Sequence, residues 1–213
     1  MSGTASPVMA GQFPAVRPPV ISGWVAIGVA VAWAVVTVGS AAVAFLTRGE
    51  MQAWVTGTGN DDSGPTFLLL LGAVEMLLML AAWISGGVWL LGIRRVSAAV
   101  APGYPHRRSE VWAFLGWVVP IVSLWFPLQM IADALSSLGG RSKLLLPVWW
   151  ASWLVAMIGG NAAGRMGGDL MTADQVGAWV TGIGIAALLV VLALPPWVLV
   201  VRRLTAAAAA ARA

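Results

Sequence analysis

Four long apolar runs punctuated by polar stretches organise this chain. They lie at about residues 20–46, 67–93, 144–164 and 176–201. Each is near or above the roughly 20 apolar residues a helix needs to cross a hydrocarbon core. None alternates with period two, so helices and not strands are expected. The first run has no ionisable residue between Ile21 and Thr47. It begins only after a polar, Pro-rich stretch, residues 1–19, which predicts a retained anchor behind a disordered cytoplasmic tail. Residues 48–66 read as a solvated turn. Their acids lack the distal Glu of a calcium loop. Arg94-Arg95 stops the second run and Arg202-Arg203 the last; the Ala-rich tail, 204–213, either extends that helix or frays.

One apolar stretch, residues 111–140, does not fit. It carries Pro120 and Pro127, each of which removes a backbone donor and clashes one turn back. Its first arm, 111–126, makes a helix of about 24 Å at about 1.5 Å per residue, short for a core of about 30 Å. From Leu128 the pattern becomes amphipathic. Leu128, Ile131, Leu135 and Leu138 fall on one side, and Gln129, Asp133, Ser136 and Ser137 on the other. Gly139-Gly140 ends it.

Charge decides how this stretch is placed. With 111–135 as a fifth span, the twelve Lys and Arg split six against six across the membrane. With the stretch entering and leaving on one side, ten share that side and only Arg48 and Arg165 oppose them. Basic residues in short loops mark the cytoplasm, so both termini are expected there. The predicted fold is an all-α integral membrane protein. It has four transmembrane helices plus a Pro-broken re-entrant or interfacial hairpin, 111–140, between the second and third, all within one membrane domain at 20–203. Sixty percent hydrophobic residues against nine percent charged exclude a soluble domain. The absence of Cys excludes disulfides and thiolate chemistry. Arg94, Arg95, Arg107, Arg108, Arg141 and Lys143 are expected to meet anionic lipid headgroups. Base-stacking aromatics on a solvated basic surface are missing, so no nucleic-acid partner is expected. Most of the thirteen Trp lie near run ends, as an interfacial belt places them.

Small residues suggest where helices touch. Gly28, Ala32, Val35, Gly39 and Ala42 form one stripe on the first run. Ser152, Ala156, Gly160 and Gly164 repeat every four residues on the third, the strongest contact motif in the chain. Ala-Trp-Val-Thr-Gly occurs at 53–57 and again at 178–182, which chance explains. Glu75 is the only acid deep in a run. Intramembrane acids face a bundle interior and are functional candidates; a hydrogen bond across helices, near Asn161, is the structural alternative. Gln129 and Asp133 are expected to face the cytoplasm. His106, the sole His, lies too far from any acid or Ser motif to suggest a triad. No metal-ligating pair, phosphate loop or nucleophile elbow is present, so neither cofactor nor metal is expected.

The motif Gly116-Trp117-Val118-Val119-Pro120-Ile121, followed by Leu124-Trp125-x-Pro127-x-Gln129-x-Ile131, resembles the core of an actinobacterial membrane family, the domain of unknown function 4328. Pro147, Trp149, Trp150, Trp153 and Leu154 are similar to that family's Trp-rich span. Ser123 and Phe126 replace the Asn and Arg frequent in the family. The resemblance implies a multispan protein of the plasma membrane and carries no reaction, substrate or catalytic residue. Three functions remain in view: a non-catalytic scaffold or accessory subunit contacting other membrane proteins or itself; a small proton-coupled transporter or channel-like protein using Glu75 and the hairpin; and a lipid-modifying enzyme.

Overall fold

The computed structural model describes residues 16–59, 63–119, 121–140, 144–166 and 172–211. Seven α-helices and one 3-10 turn, Val122–Leu124, make up the described fold: α1 Val20–Leu46, α2 Arg48–Val55, α3 Ser63–Val100, α4 Trp112–Val118, α5 Phe126–Ser137, α6 Leu145–Met166 and α7 Ala173–Ala210. No strand occurs among the described residues. α1, α3, α6 and α7 are long and apolar enough to cross a membrane.

The long helices stand side by side in the order α3, α1, α7, α6. α4 and α5 pack on α3, and α5 also touches α6 and α7, so the short pair bridges the outer helices of the row at one end. That end carries Arg94, Arg95, Arg107, Arg108, Arg202 and Arg203 and is called the basic end below. The main core lies there, around Trp89, Ile93, Val96, Ile131, Trp149, Val200 and Leu204. Two smaller clusters continue away from it, around Ala34 with Val190, and around Ala44 with Met51 and Val176.

Local chemistry sets the helix ends. α7 starts at a reciprocal capping box: Gln175 N donates to Thr172 Oγ1, and Thr172 N donates to Gln175 Oε1. Gly57 and Gly139 take positive φ just beyond α2 and α5. In both, the next two amides bond back to the last turn, as Gly139 N to Ser136 O and Gly140 N to Leu135 O. α4 ends at Val119, which is extended because a residue before proline avoids the helical region. Pro127 does not break a helix. It lies in the first turn of α5, where its missing N–H has no partner to lose.

Several expectations need correction. Residues 48–55 are helix and not loop. Met51 buries one face of α2 on the bundle, and Gln52 Nε2 donates to Ala173 O on α7. α3 and α7 run past their arginine pairs, to Val100 and Ala210. Charged side chains halt an apolar run but not a helix. α7 also contains Pro195 and Pro196. The first arm, expected over 111–126, is broken into α4, over seven residues, and the 3-10 turn Val122–Leu124. Of the residues given to the tail, Val16 packs on the main core and Pro19 abuts Gly92. Residues 1–15 lie outside the described residues, as do Pro120, Arg141 and Lys143.

The contact stripes have a different phase. On α1 the buried residues are Gly23, Ala26, Ala34 and Ala44, whereas Gly28 and Gly39 have no atom near a built Cβ position and Val35 is 65% exposed. On α6 Ala156 and Ala163 are buried, and a Cβ on Gly159 would meet Leu189 at 2.8 Å. A Cβ on Gly160 or Gly164 would meet no atom within 4 Å.

Candidate functional site

The motif residues assemble at the basic end around Trp117. Its ring packs edge-on against Trp149, Trp150, Trp153 and Trp197, with centroids 5.9–6.5 Å apart. Trp149 stacks on Trp197 at 5.6 Å, and Trp89 meets Trp197 edge-on at the same separation. Trp89 and Trp149 are almost fully buried. The interfacial belt expected for these rings is therefore replaced by an interior nest, although Trp24 and Trp54 remain exposed.

The nest satisfies one carbonyl, that of Leu124, that no helix pairs. Non-helical backbone inside an apolar layer is tolerated only when protein shields it. Here Trp150 Nε1 donates to Leu124 O in the 3-10 turn, and Trp83 Nε1 donates to Phe114 O on α4. Indole N–H groups on α6 and α3 thus pin the broken segment from both sides. Gly116 is buried where α4 meets α5, and a Cβ there would make ordinary contact with Phe126 at 3.4 Å.

Beside the nest lies a polar cluster where the 101–111 loop folds over α5. Asp133 is 2% exposed. Its Oδ2 accepts from the Arg107 amide at 2.9 Å, and its Oδ1 lies 3.2 Å from Arg107 Nε. Arg108 Nε donates to Gln129 Oε1 at 3.0 Å, and its guanidinium covers the Phe126 ring. Gln129 and Asp133 therefore hold the loop and do not face solvent as expected. Ser97, fully buried, bonds to His106 Nε2 and to Ser137 Oγ. His106 Nδ1 is buried and unpartnered. Burial lowers the His106 pKa below the usual 6.5, the nearby Arg94 charge lowers it further, and Asp133 opposes both. The fold thus brings together Ser97, His106 and Asp133, which lie apart along the chain. Ser97 Oγ cannot meet a substrate, because no surface of that residue is open. The cluster is a joint between loop and helices.

Elsewhere, Glu75 on α3 has one buried carboxyl oxygen without a partner. Asn161 is not beside it. It is exposed on α6, where Nδ2 bonds to Met157 O one turn back. Arg48 lies over Gly177 in a shallow hollow of about 570 Å³ that also holds Asp174 and Thr181. An apolar groove of about 720 Å³ runs between α1 and α3, lined by Ile21, Val25, Ile84 and Val88. No group of three His, Cys, Asp or Glu capable of holding a metal occurs among the described residues.

No curated protein and no solved structure matches the chain. A family profile does match, over residues 62–212, from the start of α3 through the end of α7 and leaving out α1 and α2. That stretch holds the Trp nest, the broken segment and the loop joint. The match spans more than two thirds of the chain, which belongs to the family of the domain of unknown function DUF4328.

Proposed function

We propose that this protein is a non-catalytic scaffold or accessory subunit of an assembly in the plasma membrane. Both termini lie in the cytoplasm, and α4 and α5 form a re-entrant hairpin that closes the cytoplasmic end of the bundle. Arg94 and Arg95 meet anionic headgroups there with Arg141 and Lys143, and the exposed side of Arg107 joins them. One observation carries the assembly role: helix faces suited to close packing are left uncovered. Gly160 and Gly164 on α6, and Gly28 and Gly39 on α1, have nothing within 4 Å of a built Cβ. Small residues let transmembrane helices approach closely. The polar groups at the basic end, in contrast, are mostly consumed by one another.

The chain has no native Cys, so a single Cys at Gly160 gives a clean crosslink. In native membranes it should join a partner or a second copy, and Gly160→Leu should abolish co-purification while the protein stays folded. Only monomer after crosslinking would refute the role. For topology, a Cys at Ser142 should react only from the cytoplasmic side. The second reading, a small proton-coupled transporter, is supported by the unpartnered Glu75 oxygen. A flux unchanged by Glu75→Gln would remove it.

A further inference from the structure

Among the described residues, three side-chain oxygens in the long helices are buried without a hydrogen-bond partner: Thr37 Oγ1, Ser40 Oγ and Glu75 Oε1. Buried polar atoms are nearly always paired. Helical hydroxyls usually bond back to a carbonyl one turn earlier, as Thr47 and Thr181 do here. Thr37 and Ser40 do not.

Helix register brings the three together. Near the basic end, Gly23 abuts Trp89 and Pro19 abuts Gly92, so α1 and α3 run antiparallel. Fourteen residues on from Gly23 is Thr37, and fourteen back from Trp89 is Glu75. That interval is close to four turns of about 3.6 residues, a rise of about 21 Å. Thr37 and Glu75 therefore come level again on the facing sides of the two helices. Leu68, packed with the cluster around Ala44, keeps the same register further on. Ser40 is one turn beyond Thr37.

Among the described residues no countercharge stands near. α1 has no ionisable residue from Val20 to Leu46, α4 has none, and α7 has none between Asp174 and Arg202. Asp133 on α5 is held by Arg107 at the basic end. On α2, Arg48 is engaged over Gly177, and Glu50 lies beyond the end of α1. On α3 itself, Arg94 and Arg95 are near the far end.

We propose that Thr37, Ser40 and Glu75 form an intramembrane site for a small monovalent cation such as sodium. One carboxylate and two hydroxyls supply only oxygen ligands, which suit hard ions. A single positive charge leaves the site neutral, whereas a divalent ion leaves net charge in hydrocarbon, which is costly. The inference rests on the membrane reading above and requires neither assembly nor transport.

The test is carbodiimide labelling of the purified full-length protein in mild detergent, read by the mass of the Glu75 peptide. Dicyclohexylcarbodiimide modifies protonated carboxyls in apolar surroundings, so a bound ion protects. At neutral pH, sodium or lithium chloride should slow labelling about tenfold against choline chloride, the factor expected near ten times Kd. Glu75→Gln should not label. Thr37→Val with Ser40→Ala should label at the choline rate and lose the protection. Equal labelling of the wild-type protein in sodium, lithium and choline would leave only a protonated carboxyl bonded between helices, and overturns the site. Failure of Glu75 to react in choline at any pH overturns it too, because an empty site leaves the carboxyl open to the reagent. Protection that survives loss of both hydroxyls overturns the ligand assignment. The wild-type comparison requires no variant to fold.

Discussion

Replacing Asp133 tests whether the loop joint is structural. Two interactions vanish in Asp133→Ala. The first is the bond from the Arg107 amide to a 2% exposed carboxylate at 2.9 Å. Hydrogen bonds to charged groups contribute about 1.5–3 kcal/mol. The second is the ion pair at 3.2 Å with a side chain that is 59% exposed. Solvent screens such pairs to about 0–1 kcal/mol. Arg107 can hydrate once its partner is gone, so the larger penalty of a stranded buried charge does not arise. The expected loss is about 2–3 kcal/mol, dominated by the amide bond. Asp133→Asn keeps an acceptor in place and should cost only about 1 kcal/mol. Denaturant unfolding in mild detergent gives the values, and proteolysis within residues 101–111 reports the loop directly. Equal stability of wild type and Asp133→Ala, or equal losses for Ala and Asn, would refute the reasoning.

Other consequences are open to measurement. His106 is held less protonated in the folded protein than in the unfolded chain. Stability should therefore be fullest above pH 6.5 and fall as pH drops through the lowered folded value; His106→Gln should flatten that profile in hydrogen exchange of the loop. Gly87→Ala puts a methyl 2.5 Å from the Phe114 ring, and overpacking of this kind costs about 1–3 kcal/mol. Gly28→Ala meets nothing and should stabilise α1 by up to about 1 kcal/mol through helix propensity; paired melting curves compare the two. Trp117→Ala removes the ring at the centre of the nest and should cost about 3–5 kcal/mol, with a shift in tryptophan emission.

The four long apolar helices were legible because length and apolarity alone define them. Their faces were not. Along α1 small residues occur on several sides, so the same spacing fits Gly28–Gly39 and Gly23–Ala44. Only the neighbours fix the phase. Tryptophans near run ends suit a lipid interface and an interior equally. What favours the interior is the carbonyl of Leu124, which no helix pairs and which takes an indole donor. Asp133 looked solvent-facing because the α5 pattern is amphipathic. A one-helix pattern cannot show that a loop twenty-six residues earlier folds back to cover that side. α2 was missed because Gly49 and its polar residues mask the Met51–Val55 spacing that seats it. The resemblance read from residues 116–131 and 147–154 holds, since the family match contains both stretches.

The Trp nest also imposes an order on biogenesis. Trp117 emerges from the ribosome before Trp149, Trp150, Trp153 and Trp197, the four rings that surround it. Until α6 and α7 are inserted, the α4–α5 segment has only α3 to rest on, and its carbonyls at the 3-10 turn stay wet. Complete docking of that segment therefore waits for α7. A chain that stalls before Trp197 leaves an apolar, half-wrapped segment for membrane quality control to recognise.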